Sequence, residues 1–380
     1  MTLLLDWREV EVQITEGVVK AAAGNTSSGR EVMALLLDRY DAEVKITEEV
    51  VKAAAGNEGT GWGGDSGKEV MALLLDQHGA EVKITEEVVK AAAGNRSSGR
   101  EVMALLLDRY GAEVKITEEV RGAEVKITEE VIKAVAGNRS SGREVIALLL
   151  DRYGAEVKIT EEVVKAVAGN EGTGWGGDSS KEVMALLLDQ RGAEVKITEE
   201  VVKAAAGNRS SGREVMALLL DRGKEVMALL LDQRGAEVKI TEEVVKAAAG
   251  NRSSGEEVMA LLLGQRGAEV KITEEVVKAA AGNWSSGEEV MALLLDRYST
   301  EVKITEEVVK AAAGNEWSGK EVMALLLDRY GTEVKITEEV VKAVAGNRWS
   351  GKGVIALLLD WYGDKVKITE EVVKVVAGNE

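Results

Sequence analysis

Residues 84–111 read ITEEVVKAAAGNRSSGREVMALLLDRYG, two short helical patterns separated by a glycine–asparagine stop. Thr85 has the chemistry of an N-cap, and Glu86 and Glu87 fall in the first turn, where the helix dipole favours carboxylates. Ile84 and Val89 have the spacing of a hydrophobic staple. Glu86 and Lys90 make an i,i+4 pair in the favoured order. Val88, Val89, Ala92 and Ala93 share one face, and Gly94-Asn95 ends this first helix, helix A. Ser98-Gly99-Arg100-Glu101 has the spacing of a capping box. Helix B then runs through Val102, Met103, Leu105, Leu106 and Leu107 to Tyr110, with Gly111 as its stop. It is apolar almost all round, so it must be covered on several sides.

The same two phrases fill the chain. Glu-Val-Met-Ala-Leu-Leu-Leu recurs at Glu69, Glu101, Glu182, Glu214, Glu225, Glu257, Glu289 and Glu321, and Ile-Thr-Glu-Glu-Val at Ile46, Ile84, Ile116, Ile127 and onward to Ile368. Most first phrases are 32 residues apart. Neither helix can bury its apolar face alone, so the units must stack. The expected fold is an all-α solenoid of about eleven two-helix units. Residues 1–29 read as a truncated N-terminal repeat, and 30–380 as one continuous array ending in a truncated repeat.

Ile84-Thr85, Ala91-Ala92-Ala93-Gly94, Val102, Leu105-Leu106-Leu107 and Gly111-Ala112-Glu113-Val114 together resemble an ankyrin repeat. Two departures stand out. Glu86-Glu87-Val88 replaces the Pro-Leu-His of that family, and the long hairpin finger shrinks to Val82-Lys83-Ile84. The near-identical phrases also resemble the repeat arrays of fungal proteins of the NACHT/NOD-like receptor and ankyrin type. This resemblance implies a ligand-sensing or partner-binding array and carries no catalytic residue.

Composition narrows the function further. The 380 residues include no Cys, Pro or Phe and one histidine, His78, which excludes a disulfide framework and a paired-His metal site. A balance of 48 basic against 66 acidic residues, net −18, disfavours nucleic acid and anionic membrane as partners. Apolar runs stop at about six residues, as in Val32 to Leu37, too few to span a bilayer. Met1-Thr2-Leu3-Leu4-Leu5-Asp6 lacks the pattern of a signal peptide, so a cytoplasmic location is expected.

The glycine-rich stretches Gly59 to Gly64 and Gly172 to Gly177 match G-x-G-x-x-G, but they follow helix A and precede helix B. A dinucleotide site needs a strand before that loop, so they read as inter-helix insertions. Adjacent Glu residues point about 100° apart on a helix and cannot face one substrate. Asn95-Arg96-Ser97 and five similar triplets read as helix-stop asparagines rather than glycosylation sites. His78 reads as a solvated side chain without an orienting partner. No catalytic residue, cofactor or metal is expected.

Variation between units concentrates in the A–B loop. Trp62, Arg96, Arg139, Trp175, Arg209, Arg252, Trp284, Trp317, Arg348 and Trp349 all lie there. Stacking sets such loops along one edge, and Trp and Arg are the common anchors of interfaces. The expected function is recognition of a protein partner along this edge. The alternative is a structural or self-associating array whose tryptophans cover exposed Leu edges. Leu3-Leu4-Leu5 and Val372 to Val376 carry no polar substitutions, so apolar patches and self-association are expected at the ends.

Two 11-residue duplications interrupt the rhythm, at 214–235 and 117–136. Eleven residues advance about 1100°, within roughly 20° of three turns, so both copies keep one apolar face if the helix continues. One long helix over about 213–233 is therefore expected to pass through Gly223, and a second over 118–136 through Gly122. Finally, Val135 replaces an Ala of helix A where Ile146 replaces the Met of helix B, and Val344 with Ile355 repeats the exchange. Conserved volume implies contact within each pair. Val135→Ala is expected to cost about 1–3 kcal/mol, with Ile146→Met recovering part of it. Strictly additive effects in denaturant melts would show that the two side chains do not touch.

Overall fold

The computed structural model describes residues 13–59, 66–79, 82–110, 127–170, 179–192, 194–229, 240–264, 270–363 and 366–377. The chain divides into two compact units, Met1–Lys196 and Ile197–Glu380. The first holds α1 (Glu16–Ala23), α2 (Gly29–Tyr40), α3 (Glu48–Ala55), α4 (Ser66–His78), α5 (Glu86–Gly94), α6 (Gly99–Tyr110), α7 (Glu129–Ala136), α8 (Gly142–Tyr153), α9 (Glu161–Gly169) and α10 (Ser179–Arg191). The second holds α11 (Glu199–Gly207), α12 (Gly212–Leu229), α13 (Glu242–Ala249), α14 (Gly255–Leu263), α15 (Glu274–Ala281), α16 (Gly287–Tyr298), α17 (Glu306–Ala313), α18 (Gly319–Tyr330), α19 (Glu338–Gly346), α20 (Gly351–Tyr362) and α21 (Glu370–Ala377). Odd-numbered helices are A and even-numbered helices are B. Among the described residues there is no strand.

Each unit is a two-layer all-α solenoid. Within it every A helix packs on the next A, every B on the next B, and each A on its own B. The A layer is narrow because its contact face is Ala and Val: Val88, Val89, Ala92 and Ala93 are fully buried, and the same four positions repeat from α3 to α17. Across from them lie Val102, Met103, Leu106 and Leu107 and their equivalents. Leu105 is half-buried, so B turns one edge outward. Val135 and Ile146 are both fully buried, on the adjoining helices α7 and α8.

Helix α12 is continuous through Gly223 to Leu229. The chain did not turn at the duplicated phrase, as the three-turn periodicity predicts. Residues 230–233 of the expected helix, and Gly122 with its duplication, lie outside the described residues.

Within each unit the repeats are joined by side chains whose part the local sequence hides. Asn57, Asn95, Asn138, Asn170, Asn251, Asn283, Asn315 and Asn347, each following a helix A, are buried and reach back one repeat. Asn95 Nδ2 donates to Ala55 O (2.9 Å) and Asn57 O (3.0 Å), and Asn138 Nδ2 donates to Ala93 O and Asn95 O at 2.9 Å each. In the second unit Asn283 bonds Ala249 O and Asn251 O, Asn315 bonds Ala281 O and Asn283 O, and Asn347 bonds Ala313 O and Asn315 O. Orphan carbonyls at the end of each helix A are thereby satisfied by the following repeat. The asparagine is a tie between repeats, more than a helix stop.

Two local expectations are corrected by the same logic. The Ser before helix B makes no side-chain cap in α2, α8, α14, α16, α18 or α20. Before α8, α16, α18 and α20 its hydroxyl serves the tie instead: Ser141 Oγ donates to Asn95 O, Ser286 Oγ to Asn251 O, Ser318 Oγ to Asn283 O and Ser350 Oγ to Asn315 O. Likewise Lys90 pairs with Glu87 rather than Glu86. Glu86 is already engaged, because Thr128 Oγ1 of the next repeat donates to it at 2.8 Å. That Thr-to-Glu bond recurs from Thr47–Glu16 to Thr369–Glu338.

Helix B starts so close to helix A that its first residue is glycine. A Cβ on Gly319 would stand 2.8 Å from both Ala312 O and Ser350 Oγ. Ser180 holds that position in α10 and turns the close approach into a bond, its Oγ donating to Val167 O at 2.5 Å.

At the C-terminal side Ile368 (60% exposed) and Val373 (55%) present apolar surface, as expected there. Leu3-Leu4-Leu5 lies outside the described residues.

Asn95→Asp keeps the shape but replaces two donors by an acceptor and a buried charge. We expect a loss of about 2–4 kcal/mol, read as a lower urea midpoint and faster amide exchange in α3 and α5. Unchanged exchange in those helices would show that the tie is dispensable.

Candidate functional site

Outside the two glycine-rich insertions the A–B loop is four residues, Asn-x-x-Ser, held from within. The Asn that ties the repeats also accepts two backbone N–H bonds through its Oδ1. Ser285 and Ser286 donate to Asn283, Trp317 and Ser318 to Asn315, and Trp349 and Ser350 to Asn347, all at 3.0–3.3 Å. The two residues after each Asn are thus fixed in backbone and project outward, one repeat above another. Carboxamides donated in this way are also unavailable for glycosylation at Asn95, Asn138, Asn251 and Asn283.

Equivalent loop positions stack on each other. Arg252 and Trp284 both follow their Asn directly, and the guanidinium lies 3.8 Å from the indole centroid, a cation–π contact. Trp317 and Trp349 both stand second after their Asn, and their rings stack at 5.6 Å and 14°. Between Trp284 and Trp317 the aromatic shifts by one position, because Glu316 precedes Trp317. The register breaks there, and a cleft of about 480 Å³ opens, lined by Arg252, Trp284, Ser285, Trp317, Ser318 and Glu321. Its aromatic walls stay wet, Trp284 being 39% and Trp317 63% exposed, and Trp349 beyond them is 68% exposed.

Of the ten residues expected on a binding edge, Arg252, Trp284, Trp317 and Trp349 come together in the second unit. Arg348 is exposed next to Trp349, and Arg209 is exposed in the loop before α12. In the first unit Arg96 is exposed with its Nε 3.9 Å from Glu58 Oε1, and Arg139 is half-buried. Trp62 and Trp175 lie outside the described residues. Glu321, Ser285 and Ser318 were not legible as site residues, since they belong to the repeat phrase. The signal that marks them is the change from Asn-Trp-Ser-Ser at 283–286 to Asn-Glu-Trp-Ser at 315–318.

Elsewhere the chemistry is sparse. Among the described residues no group of three or more His, Cys, Asp or Glu side chains is placed to hold a metal ion. No described helix is long and apolar enough to cross a membrane. His78 is not the solvated side chain expected: it is largely covered, and its Nε2 lies 3.0 Å from Asp41 Oδ1 of the preceding repeat. Arg191 stands at the same position of α10 and also reaches the preceding repeat, its guanidinium donating to Gly154 O (2.5 Å) and Val157 O (3.2 Å).

No protein of curated function matches the chain. A crystal structure of an engineered protein matches at 18% identity over 96% of this chain and 98% of its own, with a TM-score of 0.28, a likeness that bears on nothing functional. The ankyrin and NACHT-type resemblance is supported in architecture, an all-α repeat array, with no specific homology to either family behind it. One family model, a domain of unknown function (DUF7104), matches twelve times, at residues 3–33, 35–71, 73–103, 105–120, 121–145, 148–184, 186–216, 229–259, 261–291, 293–323, 325–354 and 357–380. Each full match begins near the end of one helix B and closes early in the next, so the family's unit frames the inter-repeat tie, and the chain belongs to the DUF7104 family.

Proposed function

We propose that this all-helical repeat scaffold is a non-enzymatic recognition array, and that its second unit binds a protein partner along the A–B loop edge from Arg252 to Trp349. One observation carries the reading: three tryptophans between 39% and 68% exposed stand on loops whose backbone is already fixed. Exposed aromatic area is costly in water, and a rigid loop loses little entropy when a partner covers it. In a longer protein such an array would suit the sensing part of a NOD-like receptor-type assembly, a role supported here by the resemblance of the repeat phrases alone.

A second reading is favoured by a different surface. Ile368, Val373 and Leu359 leave apolar area open at the C-terminal side of the second unit, which suits self-association. Sedimentation of the chain is then expected to show concentration-dependent association, and a strict monomer at high concentration would exclude it.

The recognition reading is tested by changing Trp284, Trp317 and Trp349 together to Ala. Because the rings are largely exposed, the variant is expected to melt like the parent, while a partner captured by the intact chain is lost. Reduced melting with the partner retained would mean that the tryptophans only cover the scaffold.

A further inference from the structure

The cleft between Trp284 and Trp317 carries a charge pattern that the other repeats lack. Helix B normally begins Gly-Arg-Glu or Gly-Lys-Glu, as at Arg30-Glu31, Arg100-Glu101, Arg143-Glu144 and Arg213-Glu214. From this position a basic side chain can reach the Glu one repeat later. Arg143 Nε is 4.0 Å from Glu182 Oε2. Lys320 lies over the corresponding position of the next repeat, Gly353, where a Cβ would come within 2.9 Å of its Cδ.

In α14 and α16 the basic residue is replaced by Glu256 and Glu288. In sequence register Glu256 then precedes Glu289 by one repeat, and Glu288 precedes Glu321, so that a carboxylate holds the position from which Arg143 faces Glu182. All four side chains are exposed. The exchange replaces a basic residue by an acidic one in two consecutive repeats and so concentrates negative charge along this edge. Both exchanges fall in the repeats that carry Arg252 and Trp284, and Glu321 itself lines the cleft.

The aromatic walls point to the same ligand chemistry. Arg252 on Trp284 shows that a guanidinium seats on an indole of this edge. Beyond it the order of the stack is Trp284, cleft, Trp317, Trp349, a ladder with one rung missing where the loop register shifts. We propose that the cleft takes the cationic side chain of an arginine- or lysine-bearing peptide segment, seated against Trp284 and Trp317 and neutralised by Glu288 and Glu321. A cation there gains from the ring quadrupoles and from two carboxylates that have no basic neighbour in the repeat register. An anionic segment would meet the Glu321 carboxylate in the lining and the chain's net charge of −18. This assignment deepens the recognition reading and rests on it.

The test uses the whole chain and two decapeptides, one alternating Gly and Arg, the other alternating Gly and Glu. At physiological salt the Gly-Arg peptide is expected to bind saturably with a change in tryptophan emission, and the Gly-Glu peptide not to bind. Trp317→Ala and Glu288→Arg should each weaken binding about tenfold. Glu288→Arg restores the residue that most repeats carry, so the fold should tolerate it, and an unchanged melting curve serves as the control. Equal affinity of the parent, Trp317→Ala and Glu288→Arg for the Gly-Arg peptide would reduce the effect to diffuse attraction by net charge and overturn the proposal. A partner lost on the triple Trp→Ala change but kept by Glu288→Arg would overturn the cation assignment while leaving recognition by the tryptophans intact.

Discussion

The carboxamide of the asparagine after helix A organises the molecule. Its Nδ2 closes two backbone carbonyls of the preceding repeat, and its Oδ1 closes two backbone amides of its own loop. A neutral group with both donors and acceptors is required, because the site is buried and demands each kind. Asp would lack the donors, and a hydrophobic residue would leave four polar groups unpaired, each a cost of about 1–3 kcal/mol. With this residue in place the spacing between repeats, the start of helix B and the course of the loop follow together.

The small residues serve the same end. An A layer built on Val and Ala lets adjacent helices approach closely enough for the carboxamide to reach across. A glycine at the first position of helix B admits the preceding carbonyl, and Ser180 shows what another residue must do there: it donates a hydrogen bond to the oxygen it would otherwise crowd. Surface links run beside these buried ones. Thr caps donate to Glu one repeat back, and Lys bridges Glu on the next repeat, as in Lys246–Glu275 at 3.4 Å. The carboxyl of Glu275 is held below the usual range chiefly by its hydrogen bond with Lys278, with Lys246 adding to it. Exposed pairs of this sort contribute little singly. Stability in such arrays comes from what each repeat gives its neighbour.

Function, in this frame, is what remains free to vary. The asparagine and the serine of the loop are committed to the scaffold, and the two residues between them are not. Placing Trp or Arg at the same free position in consecutive repeats makes a stack. Moving the aromatic by one position breaks the stack and leaves a cleft. A one-residue shift inside a fixed loop thus creates a concave feature without disturbing the helices on either side.

Much of this was legible in the sequence. The repeat period, the two helices per repeat, their apolar faces and the passage of α12 through Gly223 all follow from patterns within about forty residues, because helix periodicity is a local property. The crowding of Trp and Arg into one loop was legible for the same reason. Tertiary structure alone decided the partners across repeats. Read locally, Asn95 looks like a helix stop, Ser98 like a cap and Glu86 like the mate of Lys90. Asn95 and Glu86 are instead drawn to groups about 40 residues away, and the Ser98 hydroxyl accepts from Asn95 Nδ2, since a buried carbonyl one repeat over gains more from a bond than a solvated group does within its own helix. The cleft belongs to this second class. Glu321 is an ordinary member of a repeated phrase until stacking places it in one cleft with two tryptophans, which only the packed array forms.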